Sequence, residues 1–195
     1  MVDALNLAFG EDSVDTSGKI AINIRAVEGS RPSAYVVPSF DYRRFDNSTR
    51  TIRQDGSCVF PTDGGDKVVN WPQQQLENGR NLNNATNHRY KNYVRALKNA
   101  ENFLAAEGNI EELPSYFMEC LVFNVSTPTL SFGNLDDGFR ATLRELWQLL
   151  DSENNDRKMV EPNRMKWLFT SDKKWSLQDG KDLVLATWRY LEYGS

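Results

Sequence analysis

A change of periodicity near residue 70 constrains this chain more than any other feature. Before it, "KIAINIRA" (Lys19 to Ala26) alternates, with Ile20, Ile22 and Ile24 on one face, the two-residue period of a half-buried strand. After it, Tyr90, Tyr93, Val94, Leu97 and Leu104 recur at three- and four-residue steps, the period of an amphipathic helix. A chain that gathers its strands first and its helices afterwards folds as α+β rather than as alternating β-α units. The reading is therefore a strand-rich part over residues 1–69 and a helical C-terminal lobe over 70–195, joined in one continuous unit.

Local signals fill in both parts. "AYVVPSFDYRRF" reads as a second strand, apolar enough at its start to be central in a sheet. Pro38 cannot donate to a ladder and should mark a bulge or the exit from pairing. "RTIRQDGSCVF" carries Asp55-Gly56, a hairpin-turn signal, and "PTDGGDK" reads as a loop. The amino-terminal "VDALNLAFG" is a short amphipathic stretch, so the sheet is expected to leave a face or an edge in need of cover. In the lobe, Thr86 is the expected N-cap of the Tyr90 helix and Gly108 its stop. Pro114 opens a buried helix, "PSYFMECLVFNV". Phe139, Leu143, Leu146, Trp147 and Leu150 make the stripe of a third helix. Ser176 with Asp179 forms a capping box ahead of a last helix carrying Val184, Trp188 and Leu191. "SENND", Ser152 to Asp156, is a polar loop.

Composition narrows the function classes. With 23 basic and 27 acidic residues the net charge is -4, which argues against a generic DNA-coating protein. No apolar run spans a bilayer and Met1 to Gly10 lacks a signal-peptide pattern. Cys58 and Cys120 are too few for a disulfide framework or a zinc site, so a cytoplasmic protein with reduced thiols is expected. His88 is the single histidine, which excludes any mechanism that needs two imidazoles.

Most chemical candidates have a plain structural explanation. "DGGD" (Asp63 to Asp66) lacks the spacing and the Lys-Ser/Thr of a phosphate loop and reads as a turn. His88 reads as solvent-facing or capping. Trp147, Trp167, Trp175 and Trp188 read as core, as do the two cysteines. The i,i+2 acidic pair Asp151/Glu153 lies at a helix end rather than on a strand, so it reads as solvated surface. Lys91, Arg95 and Lys98 are more informative, because their spacing puts all three on one helix face. That face is either solvated or an anion site for a nucleotide phosphate. Ser115, at the start of the next helix, adds a hydroxyl and free helix N-terminal amides.

Taken in series, "AFGEDSV", "GKIAINI", "VVPSFDYRR", "VNWPQQQLENGRNLNNATNHRYKNYVRALK" and "LPSYFMECLVFNV" resemble the second half of bacterial nucleotidyltransferases related to cyclic-GMP-AMP synthase and oligoadenylate synthase. The resemblance implies a partial nucleotidyltransferase palm followed by a helical lobe, in proteins that make cyclic or linear oligonucleotide signals in antiphage defence. By motif position, Lys98 and Ser115 match the family's phosphate-contacting Lys and Ser, with Lys91 and Arg95 beside them. The family's "GS" turn and acidic-pair strand have no counterpart in these residues, and Tyr35 stands where the resemblance places the third metal-binding Asp. A phenol is a poor Mg²⁺ ligand at neutral pH, since it ionises near pH 10.

The expectation is a nucleotidyltransferase-like protein, inactive on its own and with no catalytic or metal residue, that binds a nucleotide or signalling oligonucleotide. Mg²⁺ and NTP would enter only with a completing catalytic half. A homodimer or companion protein would cover the sheet edge, with no membrane and no extensive DNA binding. The alternatives are a piece of an active split synthase and a decoy that pairs through the incomplete sheet.

Overall fold

The computed structural model describes residues 1–46, 48–49, 51, 53–152 and 159–194. The chain forms two compact units, Met1–Pro72 and Gln73–Ser195. The α+β class is borne out: strands fill the first unit and helices the second.

The first unit opens with a short helix, α1 (Val2–Phe9), none of whose residues is buried. Two antiparallel three-stranded sheets follow. One has the order β1 (Val14–Asp15), β2 (Ile22–Ile24), β3 (Ala34–Val36). The other has the order β4 (Phe40–Phe45), β5 (Arg53–Val59), β6 (Val68–Asn70). The single strand expected over "AYVVPSFDYRRF" is thus two strands in different sheets. Pro38 sits in the break, where a residue without an N–H costs no ladder bond. Neither half is central: β3 and β4 are each outermost in their sheets among the described residues.

Two further expectations change here. "KIAINIRA" pairs only over Ile22–Ile24, because the backbone turns tightly before it; a Cβ on Gly18 would lie 2.4 Å from the Ala21 carbonyl oxygen. Ile20 is consequently exposed. Asp55-Gly56 is not a turn but mid-strand in β5. Gly56 is required there because the Trp71 ring lies over it, 2.8 Å from where a Cβ would be. The Lys19–Asp63 ion pair (2.8 Å) and the bond from Thr62 N–H to the Lys19 carbonyl (2.9 Å) stitch the two sheets' loops together.

The second unit packs α2 (Pro72–Ala85), α3 (Arg89–Ala106), α4 (Ser115–Phe123), α5 (Thr127–Leu130), α6 (Leu135–Asp151) and α7 (Leu177–Tyr190). Leu97, Phe117, Leu121, Leu143, Leu146, Leu150, Leu168 and Leu183 are fully buried in one continuous core. Removing each such side chain from water contributes about 1.5–3 kcal/mol. Gly108 ends α3 with φ 73° and Pro114 precedes α4, both as expected. The Ser176–Asp179 capping box starts α7. Among the described residues no helix is long and apolar enough to cross a membrane. Glu153 and most of "SENND" lie outside the described residues.

Candidate nucleotide-binding site

The start of α3 is built by side chains from the end of α2. Asn87 and His88 both adopt positive φ, 49° and 67°, which turns the chain sharply between the helices. His88, not Thr86, is the N-cap, and its side chain makes no cap bond. The orphan amides are satisfied from further back: Thr86 Oγ1 accepts from Tyr90 N–H (3.2 Å) and Asn83 Oδ1 from Lys91 N–H (3.2 Å). Asn83 Nδ2 then meets His88 Nδ1 at 2.9 Å, which gives the lone histidine a structural role. Arg89 locks the same corner from the other side, donating to the Phe132 and Gly133 carbonyls at 2.8 Å each.

From this elbow α3 presents two faces. Tyr90, Tyr93, Val94, Leu97 and Leu104 are buried. Lys91 and Arg95 are exposed and Lys98 half-buried. At about 100° per residue the three cations fall within an arc of about 60°. Arg95 donates to Asn92 Oδ1 at 3.4 Å, and none of the three cations has a carboxylate partner among the described residues. Ser115 is the exposed first residue of α4, whose N-terminus has no side-chain cap bond, while the Phe117 N–H donates to the Pro114 carbonyl at 2.7 Å.

A buried acid joins these two helices. Glu101, only 2% exposed, accepts from Leu113 N–H at 2.7 Å. Glu101 is one turn beyond Lys98, and Leu113 is two residues before Ser115, so the bond holds the start of α4 against that turn of α3. Further support comes from Glu161, which is buried with Lys173 as its ion-pair partner. Glu161 also accepts from Tyr116 Oη (3.2 Å) and Asn163 Nδ2 (2.7 Å), which fixes the residue next to Ser115. Neither acid is among the candidates that the sequence spacing points to. Glu101 had a signal, since it interrupts the apolar stripe between Leu97 and Leu104. Glu161 and Lys173 lie in irregular segments that carry no period.

The other candidates are placed as follows. Tyr35 is central in β3, opposite Asn23, with 72% of its surface exposed. Tyr35 belongs to the strand unit. The "DGGD" stretch is a turn, with Gly64 at φ 77° and Asp63 accepting from Gly65 N–H. Cys58 and Cys120 are buried free thiols, and burial pushes the Cys120 thiol well up. The tryptophans depart from expectation. Trp175 and Trp188 are half-buried against the core, but Trp147 and Trp167 are exposed. Trp147 falls at the edge of its helix's apolar stripe, on the rim of a groove of about 280 Å³ between α6 and α7.

Residues 77–192 match the C-terminal helical domain of cGAS/DncV-like nucleotidyltransferases, and the chain belongs to that family. It is 32% identical to the cyclic dipyrimidine nucleotide synthase CdnE of Legionella pneumophila over 97% of this chain and 62% of the relative. It is 31% identical to a cyclic dipurine nucleotide synthase of Elizabethkingia meningoseptica over 84% of this chain and 55% of the relative. The chain thus spans about 55–62% of the length of these relatives. In structure it is similar to Elizabethkingia meningoseptica CdnE with GTP and Apcpp, at TM-score 0.84 and 28% identity, over 98% of this chain and 69% of the other. It is also similar to the Rhodothermus marinus c-UMP-AMP synthase with Apcpp and Upnpp, at TM-score 0.85 and 25% identity, over 100% of this chain and 65% of the other.

Synthesis of this kind draws on a divalent metal held by carboxylates. Among the described residues no three His, Cys, Asp or Glu side chains converge. Tyr35, at the position where the resemblance implies a third carboxylate, presents a phenol.

Proposed function

We propose that this chain is the nucleotide-holding part of a cyclic-oligonucleotide-synthase-type protein, and that by itself it binds a nucleoside triphosphate or oligonucleotide product without synthesising one. The observation that carries the reading is the arc of Lys91, Arg95 and Lys98, free of acidic partners among the described residues, on the helix whose Lys98–Glu101 turn is bonded to the start of α4. Ammonium and guanidinium groups beside a helix N-terminus suit a polyphosphate. The solved relatives that hold GTP, Apcpp or Upnpp support the same ligand class. Tyr35 supports the second half of the proposal, because a phenol does not replace a metal-binding carboxylate. A place in antiphage defence follows from the kinship.

Calorimetric titration with a non-hydrolysable ATP or GTP analogue tests the binding. Lys98→Ala should weaken it by about 10- to 100-fold, the loss of one charge-assisted phosphate contact of about 1.5–3 kcal/mol. Equal affinity in the variant would mean that the basic face is only solvated. Incubation of the chain with mixed NTPs and Mg²⁺, followed by mass spectrometry, tests the inactivity. An oligonucleotide product would refute that part.

A second reading is favoured by the fraction of the relatives that the chain spans: the metal-binding carboxylates of an active synthase would come from polypeptide outside these 195 residues. Co-purification from the native source distinguishes the two readings, since only the second requires a companion bearing the acidic pair.

A further inference from the structure

The outermost strand β4 pairs only with β5 among the described residues, which leaves its other edge unpaired. It is six residues long, Phe40-Asp41-Tyr42-Arg43-Arg44-Phe45, and all but Tyr42 are exposed. A long open edge with Phe40 at 66% exposure is a site for strand addition. From its sequence we infer that this edge receives the same strand of a second copy of the chain, antiparallel, about a two-fold axis through Tyr42.

Symmetry and charge lead to that register. A two-fold axis relating adjacent antiparallel strands stands perpendicular to the sheet, so residues that face each other lie on the same side of it. Phe40, Tyr42 and Arg44 share one side, and Asp41, Arg43 and Phe45 the other. An axis through Tyr42 sets Tyr42 against its own copy. On one side it places Phe40 opposite the second copy's Arg44, a cation–π pair. On the other it places Asp41 opposite the second copy's Arg43, an ion pair. Symmetry makes each pair twice. Of the other symmetric registers, an axis through Asp41 opposes two carboxylates and one through Arg43 or Arg44 opposes two guanidiniums, while one through Phe40 or Phe45 pairs the strand only at its end residue. Like charges directly opposite each other destabilise a sheet. Within the chain Arg43 and Arg53 converge on Asp55, and Arg44 pairs with Asp46. Asp41 has no ion-pair partner among the described residues, so it is the group the second copy would satisfy.

The contact is short and depends on few side chains, so a reversible dimer is expected rather than an obligate one. This inference is independent of nucleotide binding. It is tested on the full chain by sedimentation equilibrium from low to high micromolar concentration. A monomer–dimer equilibrium should appear, and Asp41→Arg, which sets a guanidinium against Arg43, should weaken it at least ten-fold. Cysteine variants read the register directly. Tyr42→Cys chains, whose thiols face each other across the axis, should form a disulfide-linked dimer on oxidation far faster than Phe40→Cys chains, whose thiols lie four residues apart along the pair, about 13 Å. A chain monomeric at all concentrations, a dimer indifferent to Asp41→Arg, or equal disulfide formation by the Tyr42→Cys and Phe40→Cys chains would each overturn the proposal. Association with an unrelated strand-bearing partner in place of self-association would do the same.

Discussion

The two units are held together in different ways. In the helical unit a continuous apolar cluster runs from Tyr90 to Val184. In the strand unit the buried apolar side chains among the described residues are Ile24, Cys58, Val59 and Trp71. Large apolar groups there face outward instead: Leu7 is 91% exposed, Tyr35 72% and Phe60 60%. The helical unit draws its stability from burial. The strand unit depends on a few specific contacts, such as Trp71 on Gly56 and Lys19 on Asp63. Small sheets with a thin core are marginal alone.

This contrast can be broken most directly at the buried ion pair. Lys173→Met leaves Glu161, with a side chain 5% exposed, as an uncompensated charge. Urea denaturation should show a loss of about 3–5 kcal/mol. Glu161→Gln with Lys173→Met should recover much of it. If the single change costs no more than the double, the pair is not what anchors the segment beside α4.

Phe117→Ala comes next, since its ring is fully buried and stacks on Trp175 at 5.2 Å. A cost of about 3–5 kcal/mol is expected, with lost amide protection along α4. A smaller, local effect is expected in the other unit. Gly56→Ala forces a Cβ to within 2.6 Å of the Asn70 carbonyl oxygen. Such crowding costs about 1–3 kcal/mol, read as faster hydrogen exchange in β4 and β5. If Gly56→Ala proved costlier than Phe117→Ala, the ranking of the units would reverse.

Asn83→Ala removes the acceptor for Lys91 N–H and the partner of His88, at a cost of about 1–2 kcal/mol to the start of α3. The mildest probe is pH. The Lys19 ammonium and then the Gly65 N–H hold the Asp63 carboxyl below its ordinary value. A depressed carboxylate stabilises the fold above its unfolded-state value, and that contribution fades as pH falls through the lowered one. Acidification below about pH 4 should therefore lower the protection of the Thr62 amide relative to its intrinsic exchange rate, and an Asp63→Asn chain should lose that dependence.

What could be foreseen was local. The α7 capping box, Pro114 ahead of α4 and Gly108 after α3 all act within a few residues of themselves, so sequence order alone exposes them. The failures come from partners distant in sequence. Gly56 beside Asp55 carries a turn signal, but its real constraint is Trp71, brought over it by the pairing of β5 with β6. α2 has no helical signature of its own in the sequence, because "QQQLENGRNLNNA" has almost no apolar period. The basic face of α3 followed from spacing. What fixes it did not, since Asn83 reaches eight residues to Lys91 and Glu101 twelve to Leu113.

The ring of Trp71 has one more consequence. It is the one tryptophan among residues 1–72; Trp147, Trp167, Trp175 and Trp188 all belong to the helical unit. The strand unit thus contains a single indole emitter, at the point where β6 gives way to α2. With the other four replaced by phenylalanine, the fluorescence of the chain would come from the strand unit alone. Its quenching by iodide would then follow the opening of that unit, since the ring is buried in the closed form.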